Sequence, residues 1–186
     1  LREELASLVA EHLVRIGRHL DARAVIDQAD ASHPAIALTA AELAFAAGDG
    51  LRTATLLDRL TLPSGPLARR AAILRGALLS RDGRHVEAIA QLRAVADESV
   101  EDPENRGLAL RYLAMGLRHD GGLSEAVAAL EEAIRLHQGA GQLRLEALCH
   151  AILALEIADA DAEAALEATA IARARCVAIG ELAFLH

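Results

Sequence analysis

Residues 107–136 have the sequence GLALRYLAMGLRHDGGLSEAVAALEEAIRL, which predicts two helices joined by a glycine turn. Small and apolar residues stand in it at intervals of three, four, five, four and three positions: Ala114, Leu117, Gly121, Ala126, Leu130 and Ala133. These intervals follow the helical period on both sides of Gly121, and glycine suits the left-handed backbone that ends a helix. Because only small side chains let two helix axes approach closely, we expect the pair to cross at Ala114 and Ala126.

The same spacing recurs along the chain. It is found at Ala10, Leu13, Gly17, Ala22, Ile26 and Ala29, at Gly76, Leu79, Gly83, Ala88, Leu92 and Val95, and more loosely at Ala41, Ala44, Gly48, Thr53, Leu57 and Leu60. A fifth, degraded copy has Ile152 and Asp159 in place of a small residue and a glycine. A repeat with a period in the thirties predicts an all-α solenoid of five antiparallel helix pairs. We expect a single domain, 1–186, with units of about 3–33, 34–65, 66–102, 103–141 and 142–180.

The loop 62–66, LPSGP, is the strongest break in this pattern. Two prolines, a serine and a glycine interrupt any regular element. The segment is either a connection between repeats or a small hinge, and the sequence leaves both alternatives open.

Composition excludes several classes of function. All 19 cationic residues are arginine, so the lysine of a Walker A loop is missing. A net charge of -8 disfavours contact with a phosphate backbone, and we predict no direct binding of nucleic acid by this segment. Cys149 and Cys176 fall on separate predicted helices, which is typical of reduced, buried thiols in the cytoplasm. No apolar run approaches the ~20 residues that cross a bilayer.

Alanine early in the second helix, in the run Gly122-Leu-Ser-Glu-Ala126, and a small residue in the first helix resemble the tetratricopeptide repeat (TPR). That resemblance implies a right-handed α-α superhelix that binds ligands on its concave face. The carboxylate-clamp version of the repeat needs paired Asn and Lys on this face. With one asparagine, Asn105, and no lysine, the chain excludes that version.

The joints between repeats resemble those of large ATP-dependent bacterial regulators of the LuxR or MalT-like type. The relevant segments are 135–141, RLHQGAG, 145–148, LEAL, and 176–181, CVAIGE. This resemblance implies an effector-sensing or protein-binding module of a transcription regulator, with its nucleotide-binding and DNA-binding domains elsewhere. Because the chain begins at Leu1 and ends soon after Gly180, we expect a piece of a longer protein. The alternatives are a free-standing adaptor and a homodimerisation module.

Residues on one side of the first helices are the candidates for contact with a protein, peptide or small effector. Helical periodicity places them away from the packed seam. They are Arg81, Arg111, Tyr112, Met115, Arg118, His119, Glu146 and His150. Arginine offers bidentate bonds to acidic groups, and tyrosine and methionine adapt to apolar surfaces.

No pattern in the sequence indicates catalysis or a cofactor. The eight histidines scatter across the units without a pair one helical turn apart that could hold a metal. Stacking of the repeats separates every serine, histidine and acid that could form a catalytic triad. We therefore predict a non-enzymatic protein without metal or cofactor.

Overall fold

The computed structural model describes residues 2–30 and 32–180, and within these ranges the chain forms helices and no strand. The ten helices are α1 (Arg2–Arg15), α2 (His19–Ile26), α3 (Pro34–Ala46), α4 (Gly50–Asp58), α5 (Pro66–Arg81), α6 (His85–Glu98), α7 (Pro103–His119), α8 (Leu123–Gly139), α9 (Leu143–Ile157) and α10 (Ala162–Ala178). Consecutive helices pack as five pairs, so the prediction of an all-α helical-repeat fold is confirmed. Glu181 and His186 of the predicted domain lie outside the described residues.

Prolines and aspartates set where several helices begin. Proline occupies the first turn of α3, α5 and α7, where its missing N–H costs nothing. Side chains of three aspartates cap α4, α7 and α10 by accepting a hydrogen bond from a backbone N–H in the first turn. These are Asp49, Asp102 and Asp161. Such caps satisfy donors that a helix start otherwise leaves unpaired.

Glycine ends the first helix in four of the five pairs. Gly121 has φ +78°, and Gly17, Gly48 and Gly83 have nearly the same value. The fifth turn, at Asp159, has no glycine, and no residue other than glycine has positive φ in the described part of the chain. The α9–α10 turn therefore adopts a different backbone from the other four.

The first four helix pairs bury the small residues that the repeat places at their crossings. Ala114 in α7 and Ala126 in α8 are both fully buried. In the preceding pair a Cβ added at Gly76 would lie 2.7 Å from Leu92, so only glycine fits there. Thr53 replaces alanine in α4 and is also fully buried, because its hydroxyl donates to the Asp49 carbonyl at 2.8 Å.

The core runs along the array as three clusters of buried side chains. One joins α1, α2 and α3 around Ile36, one joins α3, α4 and α5 around Leu57, and the largest extends from α5 to α9 around Leu92 and Leu130. Leu62, in the LPSGP loop, packs against the middle cluster. The core is therefore a seam between layers, as expected for a repeat array.

His137 is the largest polar group buried in this seam. Its ring packs so closely against α7 that a Cβ at Gly107 would lie 2.7 Å from it. Its Nδ1 lies 2.8 Å from the Gln142 side-chain oxygen. Burial lowers the pKa of His137, because the protonated ring would be poorly solvated.

Substituting Ala126 by leucine should overpack the α7–α8 crossing. We expect a loss of about 1–3 kcal/mol in the free energy of unfolding, measured by urea denaturation. Ala128 lies on the exposed side of the same helix, and Ala128→Leu is the matched control, with an expected change within about 0.5 kcal/mol. Equal stability of Ala126→Leu and the wild type would contradict the close crossing.

Acidification should destabilise the fold through its buried histidines. His137 and the half-buried His150 both have lowered pKa values, so the unfolded chain binds protons near pH 6.5 that the folded chain excludes. The melting temperature should therefore change little above that pH and fall as the pH drops below about 6.5. In His137→Gln the fall should be shallower, and an unchanged slope would argue that His137 does not contribute.

Candidate binding groove

The first helices of all five pairs line one cavity of about 230 Å³. Neighbouring first helices α1, α3, α5 and α7 contact one another, and α9 reaches the same cavity through its N-terminal half. The lining residues are Val14, Arg15, His19, Glu42, Phe45, Ala46, Arg70, Ile73, Leu74, Glu104, Leu108, Arg111, Tyr112, Arg144, Leu145 and Leu148. We call this cavity the groove.

A second cavity of about 440 Å³ adjoins the groove between α1 and the start of α9. The two share Arg15, Arg144 and Leu145, and the second continues past Ile16 and Gln142. Because they share these residues, the two cavities adjoin along α1 and the start of α9.

The groove combines apolar walls with an excess of positive charge. Nine of its sixteen lining residues are aliphatic or aromatic, whereas its formal charges are four arginines against two glutamates. The chain as a whole carries a net charge of -8. The groove is therefore a positively charged site on a negatively charged protein, which favours encounter with anionic groups.

Arg70 and Glu42 form a bidentate ion pair in the groove. Their bonds measure 2.5 and 2.9 Å, and the two side chains are only 12% and 15% exposed. Glu11 lies 3.5 Å from the same guanidinium. Burial disfavours the charge on Arg70, but Glu42 and Glu11 outweigh it and raise the pKa of Arg70 above its ordinary value. Arg70 therefore carries a permanent charge whose main partners are already in place.

Arg15 and Glu104 form an ion pair that connects the first unit to the fourth. The Arg15 guanidinium lies 2.9 Å from the Glu104 carboxylate, although α1 and α7 are three pairs apart in sequence. The array curves far enough for these two long side chains to meet. This contact closes one side of the groove.

Arg111 and Tyr112, both predicted from the sequence, lie in the groove. The Arg111 guanidinium stacks 4.2 Å from the centre of the Tyr112 ring, and the Tyr112 ring meets Phe45 edge to face at 5.9 Å. The Nε of Arg111 is buried and has no hydrogen-bond partner among the described residues. Arg111 is therefore a cation that the fold leaves only partly satisfied.

Four further predicted site residues lie outside the groove lining. Arg81 stacks 3.8 Å over Phe45 and donates to the Phe45 carbonyl, so it supports the groove wall from outside. Arg118 pairs with the buried Glu156 at 3.6 Å, His119 stacks on His85 at 4.3 Å, and Met115 is exposed. These side chains do not join Arg111 and Tyr112 in a single site.

Glu146 and His150 also lie outside the groove lining. Glu146 is 1% exposed and accepts a bond of 3.0 Å from Arg175 in α10. His150 is half-buried nearby, and burial lowers its pKa. The α9 face that carries them packs against α10, whereas Arg144, Leu145 and Leu148 of the same helix line the groove.

Sequence analysis missed several groove residues because the positions of the first helix that line the groove change from one unit to the next. In the first two units the groove uses positions after the small residue, as in Arg15 and Phe45. In the fourth and fifth units it uses positions before it, as in Glu104, Arg111 and Leu145. Extending the candidate offsets to the first two units would have found Arg15, Glu42 and Phe45. Nothing in the repeat indicates the shift itself.

Neither a metal centre nor a membrane span is found within residues 2–30 and 32–180. No three of their His, Cys, Asp and Glu side chains group closely enough to hold a metal ion. None of their helices has the length and apolar character to cross a bilayer. Burial raises the pKa of the Cys149 thiol to about 11, which keeps it protonated and unreactive.

Comparison with known proteins supports the fold. No protein-family model and no curated protein matches the sequence. The chain is similar to the solved structure of the MamA RS-1 ArsTM double mutant, with 17% identity, 94% of each chain covered and a TM-score of 0.52. A structure of MamA 41-end from Desulfovibrio magneticus RS-1 is also 17% identical over 100% of this chain and 97% of that chain, with a TM-score of 0.47.

The first of these superpositions places the chain in the TPR-type class of helical-repeat folds. At 17% identity the likeness concerns the fold alone. It does not bear on the resemblance to ATP-dependent regulators, which stays a prediction from sequence.

Removing Arg70 should destabilise the fold, because it leaves the buried Glu42 carboxylate without its partner. Arg70→Met leaves Glu42 without its bidentate partner, and we expect a loss of about 3–5 kcal/mol in unfolding free energy, measured by denaturant titration. The double variant Arg70→Met with Glu42→Met removes both charges and should recover most of that loss. A single variant as stable as the wild type would show that Glu42 does not depend on Arg70.

Proposed function

We propose that this chain is a non-catalytic binding scaffold whose groove receives a segment of a partner protein. The observation that carries the proposal is that all five first helices contribute to one groove with apolar walls and a few fixed charges. Binding sites typically combine such walls with a small number of well-placed polar groups. The part of the groove described above contains no arrangement of nucleophile and base that would indicate a reaction.

The joints between repeats bear on a second question, which is whether the chain belongs to a transcription regulator. Membership of a transcription regulator is inferred from the sequence of the joints alone. The joint 135–141 also has a packing role, because it supplies His137 to the seam and leads to Gln142, which binds it. That packing role explains part of the sequence of the joint whether or not the chain belongs to a regulator.

Self-association is the alternative function, and exposed apolar side chains favour it. Leu5, Leu8 and Val9 lie on one side of α1 and are 55%, 63% and 49% exposed. Helical spacing makes them a continuous stripe. A stripe of this kind commonly pairs with another apolar surface.

A peptide selection with two matched variants tests the groove. Peptides selected from a random library on the wild-type protein would be synthesised, and their dissociation constants measured by calorimetry. Leu145→Glu places a charge where the two cavities meet and should weaken binding about 10- to 100-fold, because an apolar contact is lost and a carboxylate is desolvated. Leu166→Glu makes the same change at a residue of α10 that is 71% exposed, and should leave binding within about twofold.

Two outcomes would contradict the proposal. One is the absence of any selected peptide that binds the wild type, and the other is equal weakening by both variants. Light scattering over a concentration series on the same samples addresses the alternative. A monomeric mass throughout, together with peptide binding, would favour the groove over self-association.

A further inference from the structure

Arg111 differs from the other groove arginines whose partners are known. Arg15 is paired with Glu104, and Arg70 with Glu42 and Glu11. Among the described residues, Arg111 makes no ion pair, and its buried Nε has no hydrogen-bond partner. Arg111 is half-buried, and an Nε–H withdrawn from water without a partner is costly unless a ligand compensates it.

Two acids on the helices that contain and face Arg111 are committed to other arginines. Glu104 lies about two turns earlier on α7 and faces Arg15. Glu146, in α9, accepts its bond from Arg175 of α10. The Tyr112 ring provides a cation–π contact, which is weaker than a bidentate bond to a carboxylate. The fold therefore holds the Arg111 guanidinium against Tyr112 and leaves its buried Nε without a hydrogen-bond partner.

The walls around Arg111 indicate what else the ligand must carry. Tyr112 and Leu108 flank it on α7, and Leu145 and Leu148 line the groove from α9. These side chains offer apolar surface to a ligand that must at the same time present a negative group to the guanidinium. Two glutamates in the same lining, Glu42 and Glu104, disfavour a ligand with more than one negative charge.

We propose that Arg111 is the receptor for a single carboxylate carried by an apolar chain, in the form of one acidic residue among apolar residues of the partner segment. This inference rests on the proposed function, because it names the chemistry of the segment that the groove binds. Arg111 donates two parallel N–H bonds to the carboxylate, and the flanking apolar residues pack on Leu145 and Leu148. Arginine suits this task because its planar fork matches both carboxylate oxygens.

Three short peptides of serine and leucine, acetylated and amidated at their ends, provide the test. They differ only in the central residue, which is glutamate, glutamine or lysine. Sodium octanoate, a free carboxylate on an apolar chain, is the fourth probe. Calorimetry on the wild-type protein should show the glutamate peptide binding about 10- to 100-fold more tightly than the glutamine peptide, which is the usual contribution of charge-assisted hydrogen bonds. The lysine peptide should bind more weakly still.

Variants of Arg111 assign the preference to its guanidinium. In Arg111→Met the glutamate peptide should lose its advantage over the glutamine peptide, while Arg111→Lys should retain part of it. Arg135→Met makes the same charge change on the exposed side of α8 and should keep the full preference. The melting temperature of Arg111→Met should equal or exceed that of the wild type, because a buried Nε–H without a partner is removed. A residue with a purely structural role would lower it.

Each outcome separates this inference from the proposed function. Equal binding of the glutamate and glutamine peptides by the wild type overturns the role of Arg111 and leaves a peptide groove intact. Octanoate binding that depends on Arg111, without binding of any peptide, keeps the carboxylate receptor but overturns the proposal of a protein partner. Binding of none of the four probes overturns the inference even if Arg111→Met fails to fold.

Discussion

The close crossing of paired helices over small residues is the constraint on which the rest of the structure depends. Ala114 meets Ala126 in one pair, and Gly76 leaves just enough room for Leu92 in another. With side chains this small, the helix axes approach until the flanking leucines interlock. Each pair then presents an apolar surface to the next, and each layer is turned relative to the one before it. The curvature that forms the groove is the sum of those turns.

Curvature also explains why charge is concentrated inside the array. The turn from layer to layer brings α1 close to α7, so that Arg15 and Glu104 meet across the groove. Six charged side chains line the groove, and those of Arg70 and Glu42 are only 12% and 15% exposed. Most of them find partners, as Arg70 does with Glu42. Arg111 is the exception. In a low-dielectric site an unmatched charge is costly for the protein and favourable for a ligand of opposite sign.

The two faces of α9 show how one helix serves both stability and binding. Glu146 and His150 lie on the side that packs on α10, whereas Leu145 and Leu148 line the groove. Glu146 is charged yet almost fully buried, and Arg175 is what makes this burial tolerable. An acidic residue on a first helix is therefore not in itself a sign of a binding surface. Its partner decides its role.

The sequence by itself determined the helices, their pairing and the positions of the four glycine turns, because these follow from local periodicity and from the backbone freedom of glycine. It also predicted that Arg111 and Tyr112 share one side of their helix, and both lie in the groove. Only the tertiary structure decided which side of each first helix faces inward. Periodicity defines the faces of one helix, but the rotation between layers accumulates along the array, so the inward positions move from Arg15 and Phe45 in the first units to Leu145 in the last.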